Sequence, residues 1–301
     1  MALRREGLIR VGTAGWSYPD WEGLVYPSPR PRGFDPLRFL SGLFDVIEIN
    51  STFYRPAERG MAASWLARVA GNARFVFTAK LWRGFTHDRG EPHHTEEQAW
   101  RDGLAPLAEA GKLSCVLVQF PHSFRPAEEG REYLASLIDR FSDYRLVVEL
   151  RRRDWADAAT LEWLSAKGVA FCDVDQPRLG TGGGATLRPT EHVTAPVAYV
   201  RLHGRNAPTW FAKDEGRDAR YDYLYTPAEL EPWLTAFQRM VEKAEELHVI
   251  ANNHFRGKAV VNALMIRAML QDEPVKAPAE LLAAYPQLQP FALQPPQGSL
   301  F

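Results

Sequence analysis

The sequence contains very little cysteine and no long apolar segment. Only two of its 301 residues are cysteines, Cys115 and Cys172, and both lie within short apolar runs. This placement is typical of reduced, buried thiols, so we expect no disulfide. No run of about 18 apolar residues occurs, which argues against a membrane-spanning helix. The pair Arg4 and Arg5 has no apolar stretch behind it, unlike a signal peptide, and we expect a cytoplasmic protein without a membrane partner.

An excess of charge of one sign is also absent. Lys and Arg together number 36, and Asp and Glu together number 37, which gives a formal net charge of −1. This balance disfavours a strongly basic nucleic-acid-binding protein, although a local basic patch would still allow nucleic acid as a partner. Hydrophobic residues make up 46% and charged residues 24% of the chain, as is typical of a soluble globular enzyme.

Several motifs of known chemistry are missing. The sequence has no glycine-rich dinucleotide motif, no P-loop, no G-x-S-x-G nucleophile elbow, and no H-E-x-x-H or cysteine-rich zinc motif. The sequence thus contains no nucleotide-cofactor motif, and the motifs leave the cofactor undetermined. A divalent metal would require residues that are distant in the sequence to come together in the fold.

The sequence does contain a regular alternation of short apolar runs and longer amphipathic segments. The runs predicted as strands are 9–12, 46–49, 75–78, 115–119, 146–150, 169–174, 198–202 and 249–251. The predicted helices are 36–43, 61–70, 95–110, 127–141, 158–167, 227–247 and 258–270. This alternation predicts a single closed, parallel (β/α)8 barrel of the TIM type over 1–301, with a proline-rich tail from about 271. An open doubly wound sheet is the alternative, and long loops are expected after strands 6 and 7, at 180–196 and 202–226.

Polar side chains occupy the carboxyl ends of several predicted strands, where a barrel enzyme has its active site. Strand residues two apart share a face, as Glu48 and Asn50 do on one strand and Glu149 and Arg151 do near another. Other polar residues with this placement are Asp173, Asp175, Arg201, His203, Arg205, Asn252 and Asn253. Because unpaired buried charges are costly, we expect a polar site at one mouth of the barrel. The alternative is internal ion pairs that only fill the barrel, for example Glu48 or Glu149 with Arg201.

We assign roles to these residues by their chemistry. Glu48, Glu149 and His203 are the predicted catalytic acid–base groups, since buried carboxylates and imidazoles can exchange protons near neutral pH. The residues predicted to bind substrate are Trp16, Asn50, Lys80, Gln119, Arg151, Arg201, Arg205, Asn252 and Asn253. A desolvated Lys80 could also form a Schiff base. Asp173 and Asp175 are the candidate ligands of a divalent metal.

Eight segments follow one another in a characteristic order. They are GTAGWSYPDWEGLVYP, EINSTFYR, FVFTAKLWRGFTH, LVQFPHSF, VELRRRDW, YVRLHGR, RYDYLY and ANNHFRGKAVVNAL. Together they resemble the YecE-like family, also called the domain of unknown function 72, over about residues 12–270. The resemblance implies a TIM-type barrel but no reaction. One residue departs from the family pattern, because Ala251 stands where an aromatic residue usually precedes the two asparagines.

The predicted function is that of an enzyme acting on a small anionic substrate that is phosphorylated or contains a sugar. Arginines at the mouth would hold the anionic group, and the acid–base groups would serve a hydrolase, an isomerase or a lyase. One alternative is a nucleic-acid-processing or nucleic-acid-binding barrel, in which arginines contact phosphates and aromatic side chains stack on bases. The other is a ligand-binding barrel without catalysis, since the fold alone does not imply a reaction.

Overall fold

The computed structural model describes residues 9–89, 94–212 and 216–293, and its centre is a closed barrel of parallel strands. The strands are β1 Ile9–Ala14, β2 Val46–Ile49, β3 Val76–Lys80, β4 Leu113–Gln119, β5 Leu146–Glu149, β6 Ala170–Asp175, β7 Val197–Leu202 and β8 Glu246–Ala251. Each strand pairs with the next, and β8 pairs with β1 to close the barrel. The predicted TIM-type (β/α)8 fold is therefore confirmed.

Helices connect most of the strands. In the described residues they are α1 Pro36–Ser41, α2 Ser51–Tyr54, α3 Arg59–Val69, α4 His94–Glu109, α5 Glu128–Arg140, α6 Ala158–Ala166, α7 Gly216–Ala219, α8 Pro227–Met240, α9 Lys258–Gln271 and α10 Ala279–Ala284. Several begin at a cap that the sequence supplies. The side chain of Asp35 accepts a hydrogen bond from the backbone N–H of Arg38, and Thr226 and Glu229 form a capping box before α8. Over the described ranges, no helix is both long and apolar enough to cross a membrane.

The largest differences from the predicted element boundaries occur at α8 and β8. The helix predicted over 227–247 ends at Met240, and β8 begins at Glu246 rather than at residue 249. Residues 245–248 have a charged, helix-like composition, but Glu246 forms an ion pair with Arg10 of β1 and pairs in register with Val197 of β7. Strand pairing therefore starts earlier than the apolar run does. The two long loops follow β6 and β7 as predicted, and the second contains α7.

The register of the strands decides which side chains point into the barrel. Glu48 of β2 and Arg201 of β7 contact each other across the barrel, so residues paired with them also point inward. Glu48 is in register with Thr78, and Arg201 with Ile250. The carboxyl-terminal part of the interior therefore contains the polar side chains of Glu48, Thr78 and Arg201 beside apolar ones such as Ile250, whereas apolar packing alone is usual in such barrels.

Both cysteines lie in strands of the barrel. Cys115 of β4 and Cys172 of β6 are free and buried, as the sequence predicted. Burial raises the pKa of both thiols well above the ordinary value. They are therefore protonated, unreactive groups that pack inside the fold.

The proline-rich tail is described as far as residue 293. Helix α10 and the following turn of 3-10 helix, Pro286–Phe291, bury Leu281 and Leu288. Residues 294–301 lie outside the described residues, as does the segment 1–8 with its arginine pair.

Strands β1 and β2 approach each other closely at Gly12, and this contact generates a prediction. A β-carbon on Gly12 would lie 1.8 Å from the carbonyl oxygen of Val46, so the backbone of one strand would have to move. We expect Gly12→Ala to lower the free energy of unfolding by about 3 kcal/mol, measured by urea denaturation.

The matched control is Gly60→Ala in α3, where a β-carbon would meet nothing within 4 Å. We expect this variant to keep or gain stability, by up to about 1 kcal/mol, because alanine is the better helix former. Equal effects of the two substitutions would show that the close contact at Gly12 is not what requires a glycine.

Candidate functional site

A buried ion-pair network lies inside the carboxyl-terminal part of the barrel. Arg201 of β7 donates from Nη2 to Oε1 of Glu48 at 2.7 Å and from Nη1 to Oε2 of Glu149 at 2.5 Å. Both carboxylates are fully buried, and Arg201 is 1% exposed. The network joins β2, β5 and β7 across the barrel, and it pairs opposite charges that are almost completely removed from solvent.

The second oxygen of each carboxylate is also used. Tyr199 donates from its hydroxyl to Oε2 of Glu48 at 2.9 Å. Arg151 donates from Nε to Oε1 of Glu149 at 2.7 Å. Burial alone would raise the pKa of Glu149, but Arg201 and Arg151 outweigh it and hold that pKa well below its ordinary value. Glu149 therefore stays ionised at neutral pH and anchors two guanidinium groups.

His203 adjoins this network as a neutral group. The side-chain amide of Asn252 lies with Nδ2 2.9 Å from Nδ1 of His203, and Nε2 of His203 lies 3.4 Å from Oε1 of Glu149. If the amide nitrogen donates to Nδ1, the ring proton is on Nε2 and points toward the carboxylate. Burial lowers the pKa of His203 to about 3, even with Glu149 beside it. The imidazole is therefore uncharged at neutral pH.

A cavity of about 420 Å³ opens at the carboxyl-terminal mouth of the barrel. Three cationic side chains line it, namely Lys80, Arg151 and Arg201. Its other lining side chains include Trp16, Ser17, Tyr18, Asn50, Ser51, Tyr54, Met61, Trp65, Tyr221, Asn252 and His254. Among the residues that the structure describes, no Asp or Glu lines the cavity. The lining thus combines positive charge, neutral hydrogen-bonding groups and aromatic rings.

Of the three cationic side chains, Lys80 has the charge that is least compensated by carboxylates. Its Nζ donates to Oε1 of Gln119 at 3.0 Å and lies 4.0 Å from the ring centre of Phe53. Burial is the largest influence on this amine and, together with the charge of Arg201, lowers its pKa from 10.5 to about 7. A substantial share of Lys80 is therefore unprotonated at neutral pH.

The aromatic rim of the cavity joins the first and last βα loops. The ring of Tyr18 stacks on His254 with 4.5 Å between ring centres and 10° between planes. Trp21 donates from Nε1 to the carbonyl oxygen of His254 at 2.8 Å, and Tyr221 packs 5.1 Å from the same imidazole. These contacts hold the loop after β1 against the segment after β8.

The structure brings most of the predicted site residues to this mouth. Of the predicted substrate-binding residues, those on the cavity are Trp16, Asn50, Lys80, Arg151, Arg201 and Asn252. Gln119 reaches the site through its contact with Lys80. The predicted acid–base groups Glu48, Glu149 and His203 are not on the cavity lining but buried beside it, in the network around Arg201.

Four predicted residues point elsewhere, and this corrects the expectation that they share the mouth. Arg205 is bound to Asp175 through two hydrogen bonds of 2.6 and 2.8 Å, and Trp233 of α8 donates to the same carboxylate at 2.8 Å. Asp173 accepts from the backbone of His192 at 3.2 Å. The fourth residue, Asn253, donates to the carbonyl oxygen of Tyr223 at 2.8 Å and to the side chain of Asn262.

The register of β6 explains why the two aspartates point outward. Val174 is paired with the inward-pointing Arg201, so Asp173 and Asp175 face the opposite side of the sheet. Burial raises the pKa of Asp173 to about 7. In the described ranges, no three His, Cys, Asp or Glu side chains form a group that could hold a metal ion.

Sequence analysis assigned no role to several residues that the structure places at the site. These are Phe53, Trp65, Tyr221 and His254. Phe53 lies in α2 within a few residues of the end of β2, and His254 lies within a few residues of the end of β8, positions that could have identified them. Trp65 lies in the middle of α3 and reaches the cavity only through the packing of that helix, so the sequence contains no signal for it.

Comparison with known proteins gives consistent results over nearly the whole chain. Residues 10–287 match the family described as Protein of unknown function DUF72. The UPF0759 protein YunF of Bacillus subtilis (strain 168) is 30% identical over 279 residues, which cover 88% of this chain and 96% of that protein. Among solved structures, a DUF72 family protein of Thermotoga maritima has a TM-score of 0.76 and 31% identity, with 88% of this chain and 99% of that chain covered. One from Enterococcus faecalis has a TM-score of 0.75 and 26% identity, with 89% and 97% covered.

The network around Glu149 generates a prediction about stability. Glu149→Gln keeps the shape of the side chain but leaves Arg151 without its carboxylate and Arg201 with only one. Because these guanidinium groups are buried, we expect the free energy of unfolding in urea to fall by about 3–5 kcal/mol. The control is Glu109→Gln, since Glu109 pairs with Arg59 where both side chains are more than half exposed. Its expected loss is below about 1 kcal/mol, and a similarly small loss at Glu149 would contradict a structural role for this carboxylate.

The environment of Lys80 generates a prediction about pH. Because its pKa is lowered to about 7 on folding, the unfolded chain binds more protons than the folded chain between pH 7 and 10.5. Stability therefore rises with pH in this window, by at most about 1.4 kcal/mol per pH unit. In Lys80→Met this contribution is absent, so the free energy of unfolding of the wild type should rise relative to that of the variant from pH 7 to 10.

The control for this experiment is Lys167→Met, which removes a surface lysine paired with Asp139. We expect its difference from the wild type to stay within about 0.5 kcal/mol across the same range, as for other surface ion pairs. A constant difference for Lys80→Met as well would show that the buried amine keeps its proton on folding.

Proposed function

The chain belongs to the DUF72 family of proteins of unknown function. We therefore propose its function from the geometry and charge of the candidate site. In this proposal the protein is an enzyme that acts on a small anionic substrate, phosphorylated or containing a sugar, at the carboxyl-terminal mouth of the barrel. The observation that supports it most strongly is the lining of the 420 Å³ cavity, which includes Lys80, Arg151 and Arg201 but no carboxylate of the described chain.

The charges around the cavity favour an anionic ligand. Glu48 and Glu149 neutralise much of the charge of Arg201 and Arg151 from the buried side, and they hold both guanidinium groups in place. The groups are thereby oriented before a ligand arrives, which lowers the cost of binding. A phosphate or carboxylate group can then accept charge-assisted hydrogen bonds from donors that already lie on the cavity.

The neutral groups of the lining suit the rest of such a substrate. Asn50 and Asn252 offer amide donors and acceptors for hydroxyl groups. The rings of Trp16 and Tyr54 offer flat apolar faces of the kind that pack against sugar rings. The volume is within the range of cavities that enclose small molecules.

The chemistry in this proposal centres on Lys80. Glu149 keeps its charge at neutral pH and His203 keeps none, so neither group exchanges a proton readily there. Lys80 has a pKa of about 7 and lies on the cavity. We therefore assign the reactive role to Lys80, and to Glu48 and Glu149 the orientation of the guanidinium groups.

The test compares three ligands that differ in one group at a time, namely ribose, ribose 5-phosphate and inorganic phosphate. We expect ribose 5-phosphate near 100-fold above its Kd to stabilise the protein by about 2.7 kcal/mol, seen as a rise in Tm. Ribose at the same concentration should have little effect. Arg151→Gln should weaken ribose 5-phosphate binding about 10- to 100-fold, because a charged hydrogen bond is lost.

The control variant is Arg59→Gln, which removes one positive charge from the surface at a position paired with Glu109. Its response to ribose 5-phosphate should equal that of the wild type. Equal binding of ribose and ribose 5-phosphate would contradict an anionic substrate. A response only to single-stranded oligonucleotides, weakening steeply with salt, would instead favour the nucleic-acid alternative.

A further inference from the structure

The backbone of Lys80 is anchored by two hydrogen bonds at the end of β3. Its carbonyl oxygen accepts hydrogen bonds from the hydroxyl of Thr52 at 2.7 Å and from Nε1 of Trp100 at 3.3 Å. The residue is 8% exposed, and it nevertheless lines the open cavity. The small exposed part of its side chain is therefore directed to the space where a ligand would sit.

The amine has an unusual set of neighbours for a buried lysine. Its hydrogen-bond acceptor is the neutral amide oxygen of Gln119, and the face of Phe53 lies on another side of it. Across the described ranges, no carboxylate lies within 4.0 Å of Nζ, and the other two cations of the cavity are the permanently charged Arg151 and Arg201. Buried lysines normally pair with a carboxylate. Here the ring of Phe53 and the more distant Glu48 and Glu149 favour the charged amine, but burial and the charge of Arg201 outweigh them.

A lysine can supply a free amine in this cavity, which the two arginines cannot. Both guanidinium groups already offer fixed positive charge for an anion, and neither can lose its proton in a protein. Lysine can lose its proton when it is desolvated next to other cations, and the free amine is a nucleophile. The lowered pKa of Lys80 is consistent with this geometry.

We propose that Lys80 is a covalent nucleophile that forms a Schiff base with the carbonyl carbon of a small phosphorylated aldehyde or ketone. The inference rests on the proposed function, since the anionic group of the same substrate would be held by Arg151 and Arg201. It adds a carbonyl group to the substrate class and a covalent intermediate to the reaction.

The covalent step needs no oxidant or reductant. The lone pair of Nζ forms a bond to the carbonyl carbon, and the π electrons of the C=O bond move to its oxygen. That oxygen takes one proton released by the nitrogen and a second from solvent, the C–O bond breaks, and water leaves. Free amine, carbonyl compound and one proton thus become a protonated imine and water. The imine attracts electrons from an adjacent C–H or C–C bond, and hydrolysis later returns the free Lys80.

Reductive trapping tests this proposal on the intact protein. The protein is incubated at pH 7.5 with dihydroxyacetone phosphate or glyceraldehyde 3-phosphate, and sodium cyanoborohydride then converts any imine into a stable secondary amine. The chain has seven lysines, so the modified site can be mapped by mass spectrometry. Trypsin does not cleave after an alkylated lysine, and residues 75–83 should therefore appear as one peptide with the mass of the adduct.

The expected result is labelling of Lys80 on the order of tenfold faster than that of the surface residue Lys167, because Lys80 is desolvated beside two cations on the cavity that would hold the carbonyl compound. Dihydroxyacetone and glyceraldehyde, which lack the phosphate, should label Lys80 more slowly at equal concentration. Lys80→Arg keeps a positive charge without a nucleophile, so it should give no adduct in the peptide. Excess inorganic phosphate should protect Lys80 from labelling.

Two negative outcomes separate this inference from the proposed function. If ribose 5-phosphate binds but Lys80 is labelled no faster than Lys167 with both phosphorylated carbonyl compounds, the Schiff base is wrong and the anionic site stands. If Lys80 is labelled rapidly but equally by compounds with and without phosphate, the nucleophile stands and the anionic substrate is wrong. Failure of binding and of labelling together would overturn both.

Discussion

The clamp of Arg201 between Glu48 and Glu149 is the interaction on which the carboxyl-terminal part of the barrel depends. Three strands that are not neighbours contribute one charge each, and the three groups meet with distances of 2.5 and 2.7 Å. Buried charges of this kind are tolerated only when their geometry is good and their remaining hydrogen-bonding atoms are satisfied. The hydroxyl of Tyr199 and the guanidinium of Arg151 do much of this, so the network constrains strand register as well as charge.

The same clamp determines how much positive charge reaches the cavity. Arg201 directs both Nη atoms to carboxylates, and Arg151 directs its Nε to Glu149, which leaves the two Nη atoms of Arg151 for other partners. Lys80 has no carboxylate partner in the described part of the chain. The buried acids therefore act on the site through the cations that they orient, and the cavity itself keeps a lining of donors.

Much of this arrangement could be predicted from the sequence, because alternation along a strand is a local property. Alternation correctly placed Glu48, Glu149 and Arg201 at one end of the barrel. The structure also contains the internal ion pairs of Arg201 with Glu48 and Glu149, which were the alternative interpretation of these residues. Alternation separates the two faces of a strand but does not say which face is inside. Asp173 and Asp175 were assigned to the mouth for this reason, and only the pairing of Val174 with Arg201 shows that they point outward. The environment of Lys80 could not be predicted, since it depends on contacts with Phe53 and Gln119 from other elements.

The contacts of His254 with Tyr18 and Trp21 determine when the cavity can be completed during synthesis of the chain. One wall of the cavity is built from the loop after the first strand, and the group that holds this wall follows the last strand, more than 230 residues later. A ribosome releases the first loop long before the residues that hold it, so a partly synthesised barrel lacks a finished cavity. The pairing of β8 with β1 that closes the barrel joins the same two ends of the chain. Barrel closure and this wall of the cavity therefore both require the residues that are synthesised last.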